Sequence, residues 1–283
     1  MQKPKRVCAI HDLSTFGRCS LACIIPVISV MGVQVCPIPT ALLSTHTGGF
    51  DDIESLDCDG FISSCLRHYE KLNINFDCIY TGYLAKAEQF NEILNFFDKF
   101  PHSFKVVDPV LGDNGRLYKK LTPQMIDKMR MLCRKADLIT PNTTEAALLT
   151  DSRHCDVYEI DSINELINKL RSITDGDLVI TGAIVDSIGK CNICFSNDEA
   201  FAVVCNYKDV SYDGTGDCFA SAVTAALVNG NSLEKAVCIA SDFIEHCLEI
   251  TLKGDDEKRN GIFLEYSLDR LTRPPGNRKI VKL

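Results

Sequence analysis

Asp77-Cys78-Ile79-Tyr80-Thr81-Gly82, then the amphipathic run Gln89 to Phe100, then Phe104-Lys105-Val106-Val107-Asp108-Pro109, is the stretch that decides the fold class. A short apolar run closing on a glycine, a helix-period segment and a second apolar run halted by proline read as strand, helix, strand. The same unit repeats on both sides. Upstream, Val7 to Ile10 reads as a strand, Cys19 to Met31 as a helix, Val33 to Pro37 as a strand and Phe61 to Leu72 as a helix. Downstream, helices over Met125 to Arg134 and Ile163 to Ile173 alternate with strands over Leu138 to Thr140 and Leu178 to Thr181. Cys191 to Phe195 and Ala200 to Asn206 flank the polar turn Ser196-Asn197-Asp198-Glu199, a β-hairpin pattern. Two long helices follow, from Asp217 and from Ser232, and the polar tail Arg273 to Leu283 reads as a surface arm. The expectation is one α/β domain over residues 1–283, its mostly parallel central sheet flanked by helices, with an antiparallel hairpin at one edge.

Ligands of such sheets sit beyond the carboxyl ends of the strands. Those ends carry His11-Asp12, Thr81-Gly82-Tyr83, Asp108-Pro109, Thr140-Pro141-Asn142 and Thr181-Gly182. Gly214-Thr215-Gly216-Asp217 adds a glycine turn feeding an apolar helix. The helix start would gather unpaired amides at its positive end, with a carboxylate beside them. An anion cradle next to a proton acceptor suits phosphoryl transfer to an alcohol; Thr215 capping an ordinary helix would give the same letters. Asn142-Thr143-Thr144-Glu145 spells a capping box, and it also offers oxygen donors near a magnesium-bound triphosphate. Thr45-His46-Thr47-Gly48-Gly49 reads as a substrate loop or a plain connection, and Asn114-Gly115-Arg116-Leu117-Tyr118 as a flap or a turn.

The Gly182 and Gly189-Lys190 spacing is too long for a P-loop. Gly214-x-Gly216 lacks the third glycine of a dinucleotide fingerprint. Among 283 residues, 46% are hydrophobic, and the formal net charge of -8 argues against nucleic acid or an anionic membrane as partner. No apolar run approaches a membrane span. The 15 cysteines, odd in number and scattered through apolar segments, read as reduced and buried in a cytoplasmic protein. Cys191-x-x-Cys194 lacks the second pair of a zinc site.

In this order, Ser44-Thr45-His46-Thr47-Gly48, Thr81-Gly82-Tyr83, Asp108 to Asp113, Thr140-Pro141-Asn142 with Glu145, and Gly214-Thr215-Gly216-Asp217 resemble the pyridoxal/pyridoxamine kinases of the ribokinase-like superfamily. The resemblance runs from Val7 to about Leu271. It implies ATP-dependent phosphorylation of the 5′-hydroxymethyl group of a B6 vitamer by a homodimer, with Mg2+ and often K+. Asp217 matches the catalytic base and Gly214, Thr215 and Gly216 the anion hole. Asp108, Asn142 and Glu145 match residues around magnesium and the phosphates, with Asp108 and Glu145 as metal ligands; Tyr118 and Thr181 match nucleotide contacts. Thr47 and Tyr83, with His46 beside them, match substrate contacts.

Two departures stand out. His11-Asp12, followed by Leu13-Ser14, occupies the place of the usual Gln-Ser pair, and an acidic residue there favours a protonated ring nitrogen or an amine. The Asp-x-Ser start also resembles hydroxymethylpyrimidine kinases, which keeps that substrate open. Asp213 stands where many relatives carry proline. A vitamer-binding protein without catalysis is a further reading, and the presence of Asp217, Asn142 and Glu145 together speaks against it.

Overall fold

The structure, a computed structural model, describes residues 3–206, 210 and 212–283. Its first half comprises β1 (Arg6–Phe16), α1 (Ser20–Val30), β2 (Gln34–Thr45), β3 (Ser55–Asp57), α2 (Phe61–Lys71), β4 (Cys78–Thr81) and α3 (Ala87–Lys99). The middle comprises β5 (Phe104–Val107), the two-residue strands β6 (Gly112–Asp113) and β7 (Arg116–Leu117), α4 (Pro123–Cys133), β8 (Leu138–Ile139), α5 (Thr143–Leu149) and α6 (Ile160–Arg171). β9 (Asp177–Val185), β10 (Gly189–Ser196), β11 (Glu199–Val204), α7 (Thr215–Val228), α8 (Leu233–Thr251) and β12 (Ile280–Lys282) complete it.

Ten strands form one sheet in the order β12-β11-β10-β9-β8-β5-β4-β1-β2-β3. The run from β2 to β9 is parallel throughout. The expected hairpin, β10 with β11, is antiparallel at one edge, and β3 adds an antiparallel strand at the other. The tail is more than a surface arm. β12 pairs with β11, and the buried Arg278 guanidinium donates two 2.8 Å bonds to Glu245 on α8.

Strands buried on both faces explain the runs without polar alternation. Along β1, Cys8 and Ile10 pack towards one face with α2, α3, α4 and α6, while Val7 and Ala9 pack towards the other with α1, α7 and α8. Each face has its own core, so the sheet separates two apolar layers. No helix among the described residues is long and apolar enough to cross a membrane. No disulfide joins the cysteines, most of which are buried.

Two strands outrun the sequence pattern. β1 continues through His11-Asp12 to Phe16, and β2 through Pro37 and Pro39 to Thr45. The prolines are two residues apart, so their missing N–H groups fall on the same side of β2. There β3 reaches only Ala41 to Leu43, and no ladder bond is lost. Between His11 and Leu13 the partner residues run from Pro39 to Leu42, so β2 carries the extra residue of a bulge at Thr40 and Ala41, opposite Asp12.

The chain runs from β1 outwards to β2 and returns to the opposite side of β1 as β4. The switch point therefore lies between β1 and β4. The fully buried His11 ring lies there, 4.6 Å from the Tyr80 ring, and burial pushes its pKa down to about 3, leaving it neutral. It sits over Gly82, where an added Cβ would come 1.7 Å from His11 Cε1. Gly82→Ala is therefore expected to destabilise the fold by about 1–3 kcal/mol, the range for overpacking. Urea unfolding checks this, and an unchanged midpoint would contradict it.

Candidate active site

α7 starts without a side-chain cap. Its N-cap Gly214 is left-handed at φ 75, and the Thr215 hydroxyl donates to Tyr212 O at 2.7 Å instead of serving the helix. The first intrahelical bond is Cys218 N–H to Gly214 O, 3.0 Å. The amides of Thr215, Gly216 and Asp217 therefore precede the ladder and face whatever sits at the helix start. Of the two readings of this turn, the capped helix is the one the geometry lacks. The glycines differ in purpose: a Cβ on Gly214 would lie 1.9 Å from Arg18 O, whereas a Cβ on Gly216 would meet nothing within 4 Å. Gly214 lets two backbones cross, and Gly216 leaves space.

That space belongs to a cavity of about 690 Å³ beyond the strand ends. Asp108, Tyr118, Asn142, Glu145, Thr181 and the Gly214 to Asp217 turn all line it, so the predicted nucleotide and catalytic residues converge. Asp108 follows β5 and is buried. Asn142 and Glu145 do form the capping box of α5: Glu145 N–H donates to Asn142 Oδ1 at 2.9 Å, and Asn142 N–H to Glu145 Oε2 at 2.8 Å. Glu145 Oε1 accepts from Leu111 N–H at 3.1 Å, which ties α5 to the loop after β5. Asn114 and Gly115, both with positive φ, make the tight turn between β6 and β7, and Gly115 N–H donates to Thr144 Oγ1 at 2.9 Å.

The electrostatics are lopsided. Burial, then the Asp217 charge, raises the Asp108 pKa well above the carboxylate range; burial, then the Asp108 charge, does the same to Glu145. Asp217 keeps part of its surface open to the cavity. Desolvation by the atoms packed around it still pushes its pKa up to about 7, against the Ser20 N–H bond that lowers it. Among the described residues, no three His, Cys, Asp or Glu side chains converge to hold a metal ion by themselves. Magnesium thus fits this donor set only in company with phosphate oxygens, which is how that ion is commonly held.

The predicted substrate residues form a second group, on the projecting ends of β1 and β2. Asp12 is buried; its Oδ1 accepts from Ser20 Oγ at 2.6 Å and its Oδ2 from Ser14 Oγ at 3.1 Å. Burial raises its pKa, and the Ser20 and Ser14 hydrogen bonds oppose that rise. Tyr83 is half-buried, its pKa pushed up to about 12 by burial and then by the Asp12 charge. His46 has both nitrogens engaged. Gly48 N–H donates to Nδ1 at 3.1 Å, so Nε2 carries the proton and donates to Arg259 O at 2.6 Å. This leaves the His46 ring, not its nitrogens, for a substrate. Thr47 is exposed on the same loop. Asp213 leans towards that loop, its Oδ1 lying where it would be 2.8 Å from a Cβ on Gly48.

Sequence reasoning passed over three residues. Ser20 joins the two groups: its N–H donates to Asp217 Oδ2 at 2.8 Å and its hydroxyl to Asp12. Lys190 brings a cation into the cavity lining; the Gly189-Lys190 pair, discarded as a P-loop, was its signal. Asn192, on β10, accepts from Gly182 N–H at 3.0 Å and so fixes the turn after Thr181.

This arrangement matches known proteins over its full length. A crystallised Bacteroides thetaiotaomicron protein, provisionally described as a phosphomethylpyrimidine kinase and solved with pyridoxal, is 36% identical with a TM-score of 0.94, over 99% of this chain and 100% of that one. Lactobacillus plantarum pyridoxal kinase is 27% identical with a TM-score of 0.88, over 95% and 97%. The chloroplastic thiamine biosynthetic bifunctional enzyme of Arabidopsis thaliana is 28% identical over 229 residues, 79% of this chain but only 42% of that enzyme. The phosphomethylpyrimidine kinase family matches residues 24–260. The chain belongs to that family, and with it to the pyridoxal-kinase-like phosphotransferases of the ribokinase-like superfamily.

Proposed function

We propose that this protein transfers the γ-phosphoryl group of ATP to the 5′-hydroxymethyl group of a B6 vitamer. The observation that carries the reading is the uncapped start of α7, which sets unpaired amides and the Asp217 carboxylate at one cavity wall. Phosphate oxygens would sit against the Thr215 to Asp217 amides, with Lys190 on the facing β10. Asp108 and Glu145 would hold magnesium, Glu145 through water because the backbone already occupies both its oxygens; the ion neutralises phosphate charge when bound. Asp217 orients the hydroxyl and takes its proton as the P–O bond forms. Asp12, buried beside Tyr83, suits a protonated pyridine or an amine. The relative solved with pyridoxal supports a B6 substrate. A second reading, hydroxymethylpyrimidine or its phosphate, is favoured by Asp12-x-Ser14 and by the family match.

ADP release with Mg-ATP and potassium decides between them across pyridoxal, pyridoxine, pyridoxamine and hydroxymethylpyrimidine. Turnover of a vitamer is expected; turnover of the pyrimidine alone would overturn the reading. Asp217→Asn should lower kcat by about 10²–10⁴-fold while ATP still binds.

The same carboxyl predicts two pH effects. A base titrating at about 7 must be ionised to act, so kcat/KM should rise with pH through that value. In the fold, Asp217 holds its proton where the unfolded chain has already lost it. The stability so contributed is full below about pH 4 and lost as pH rises through about 7. Asp217→Asn should therefore raise the thermal midpoint relative to wild type at about pH 8, and that gain should vanish at about pH 4. Equal gains at both pH values would contradict the assignment.

The two glycines give a separate check. Gly216→Ala should leave stability within about 1 kcal/mol of wild type yet cut kcat/KM by about 10²-fold, because the methyl enters the phosphate space. Gly214→Ala should instead destabilise the fold through its left-handed φ and the Arg18 carbonyl. Activity retained in Gly216→Ala would refute the cradle.

A further inference from the structure

Ser20 opens α1 in a conformation that only glycine, asparagine and aspartate enter readily, at φ 50. It does not cap its own helix: the N-cap is Cys19, without a side-chain bond, and the Ser20 hydroxyl reaches back to Asp12 Oδ1 at 2.6 Å. Its N–H turns the other way, to Asp217 Oδ2 at 2.8 Å. One buried residue in a strained backbone geometry thus spans two carboxylates that belong to different elements. Asp12 lies opposite the bulge of β2, and Ser14 holds its remaining oxygen.

We propose that Ser20 is a positioning residue, which commits Asp217 Oδ2 to its own N–H and, through its hydroxyl, fixes Asp12 in register with the base. The inference rests on the reading of Asp217 as general base. Oδ1 is then the Asp217 oxygen that takes the proton of the substrate hydroxyl as the new P–O bond forms and the bond to the leaving ADP breaks. Asp12 orients the nitrogen-bearing end of the same substrate. A helix-opening serine used only for folding would have no reason to bond either carboxylate, and glycine would fit its φ better.

The test is steady-state kinetics with Mg-ATP and pyridoxal, pyridoxine or pyridoxamine, whichever turns over, on wild type, Ser20→Gly, Ser20→Asn, Asp12→Ala, the Ser20→Gly/Asp12→Ala double variant and Asp217→Asn. Ser20→Gly keeps the N–H and relieves the backbone, so its thermal midpoint should hold or rise while kcat falls about tenfold with the KM for ATP unchanged. Ser20→Asn, which tolerates the positive φ and carries a side-chain donor, should recover most of that loss. The double variant should be no slower than Asp12→Ala alone, because the hydroxyl acts through Asp12.

Wild-type kcat in Ser20→Gly, or losses that multiply in the double variant, would overturn the proposal even with Asp217→Asn inactive. An active Asp217→Asn would instead remove the reading of the base on which it rests. Should Ser20→Gly fail to fold, Ser20→Ala, which also keeps the N–H and lacks the hydroxyl, decides by the same kcat and the same cycle.

Discussion

Everything at this site depends on burying negative charge opposite an uncapped helix start. Asp108, Glu145 and Asp217 each ionise against desolvation and against a neighbouring carboxylate. Such groups work against the fold, and the two apolar layers on either side of the sheet must offset them. What they share with the α7 amides is a need for a missing partner. In the function proposed, polyphosphate would satisfy the amides and its cation the carboxylates. On that proposal, binding of a metal nucleotide would remove an electrostatic disadvantage built into the fold.

Geometry turns that disadvantage into chemistry. Gly214 lets α7 begin against the Arg18 backbone, and Gly216 leaves the first turn bare. The capping box at Asn142 and Glu145 forms as the spacing suggested. It starts α5, and it anchors Leu111 beside the cavity. The proposed substrate side is built differently, from strand ends that outrun the sheet and a loop pinned by His46 to Arg259. Ser20 is the hydrogen-bonded junction of the two halves.

Much of this was legible in the letters. The central strands β4, β5 and β8 were readable because burial leaves them short, mostly apolar runs, and α8 starts at Ser232 as expected. The residues that converge on the cavity were readable because strand ends and helix starts carry their chemistry in contiguous motifs. The projecting halves of β1 and β2 were hidden by His11-Asp12 and by Pro37 and Pro39, which mimic strand stops in one dimension. The β12 strand was hidden inside a polar tail. Ser20 left no signal, because a positive φ and a bond to a residue 197 positions away are properties of the folded chain alone.

The most direct measurement is a crystal structure with a non-hydrolysable ATP analogue, magnesium and pyridoxal. The account predicts phosphate oxygens on the Thr215 to Asp217 amides and the 5′-hydroxyl oxygen about 3 Å from Asp217 Oδ1, with Oδ2 still on Ser20 N–H. A hydroxyl held away from Asp217, or phosphates bound elsewhere than the start of α7, would contradict it.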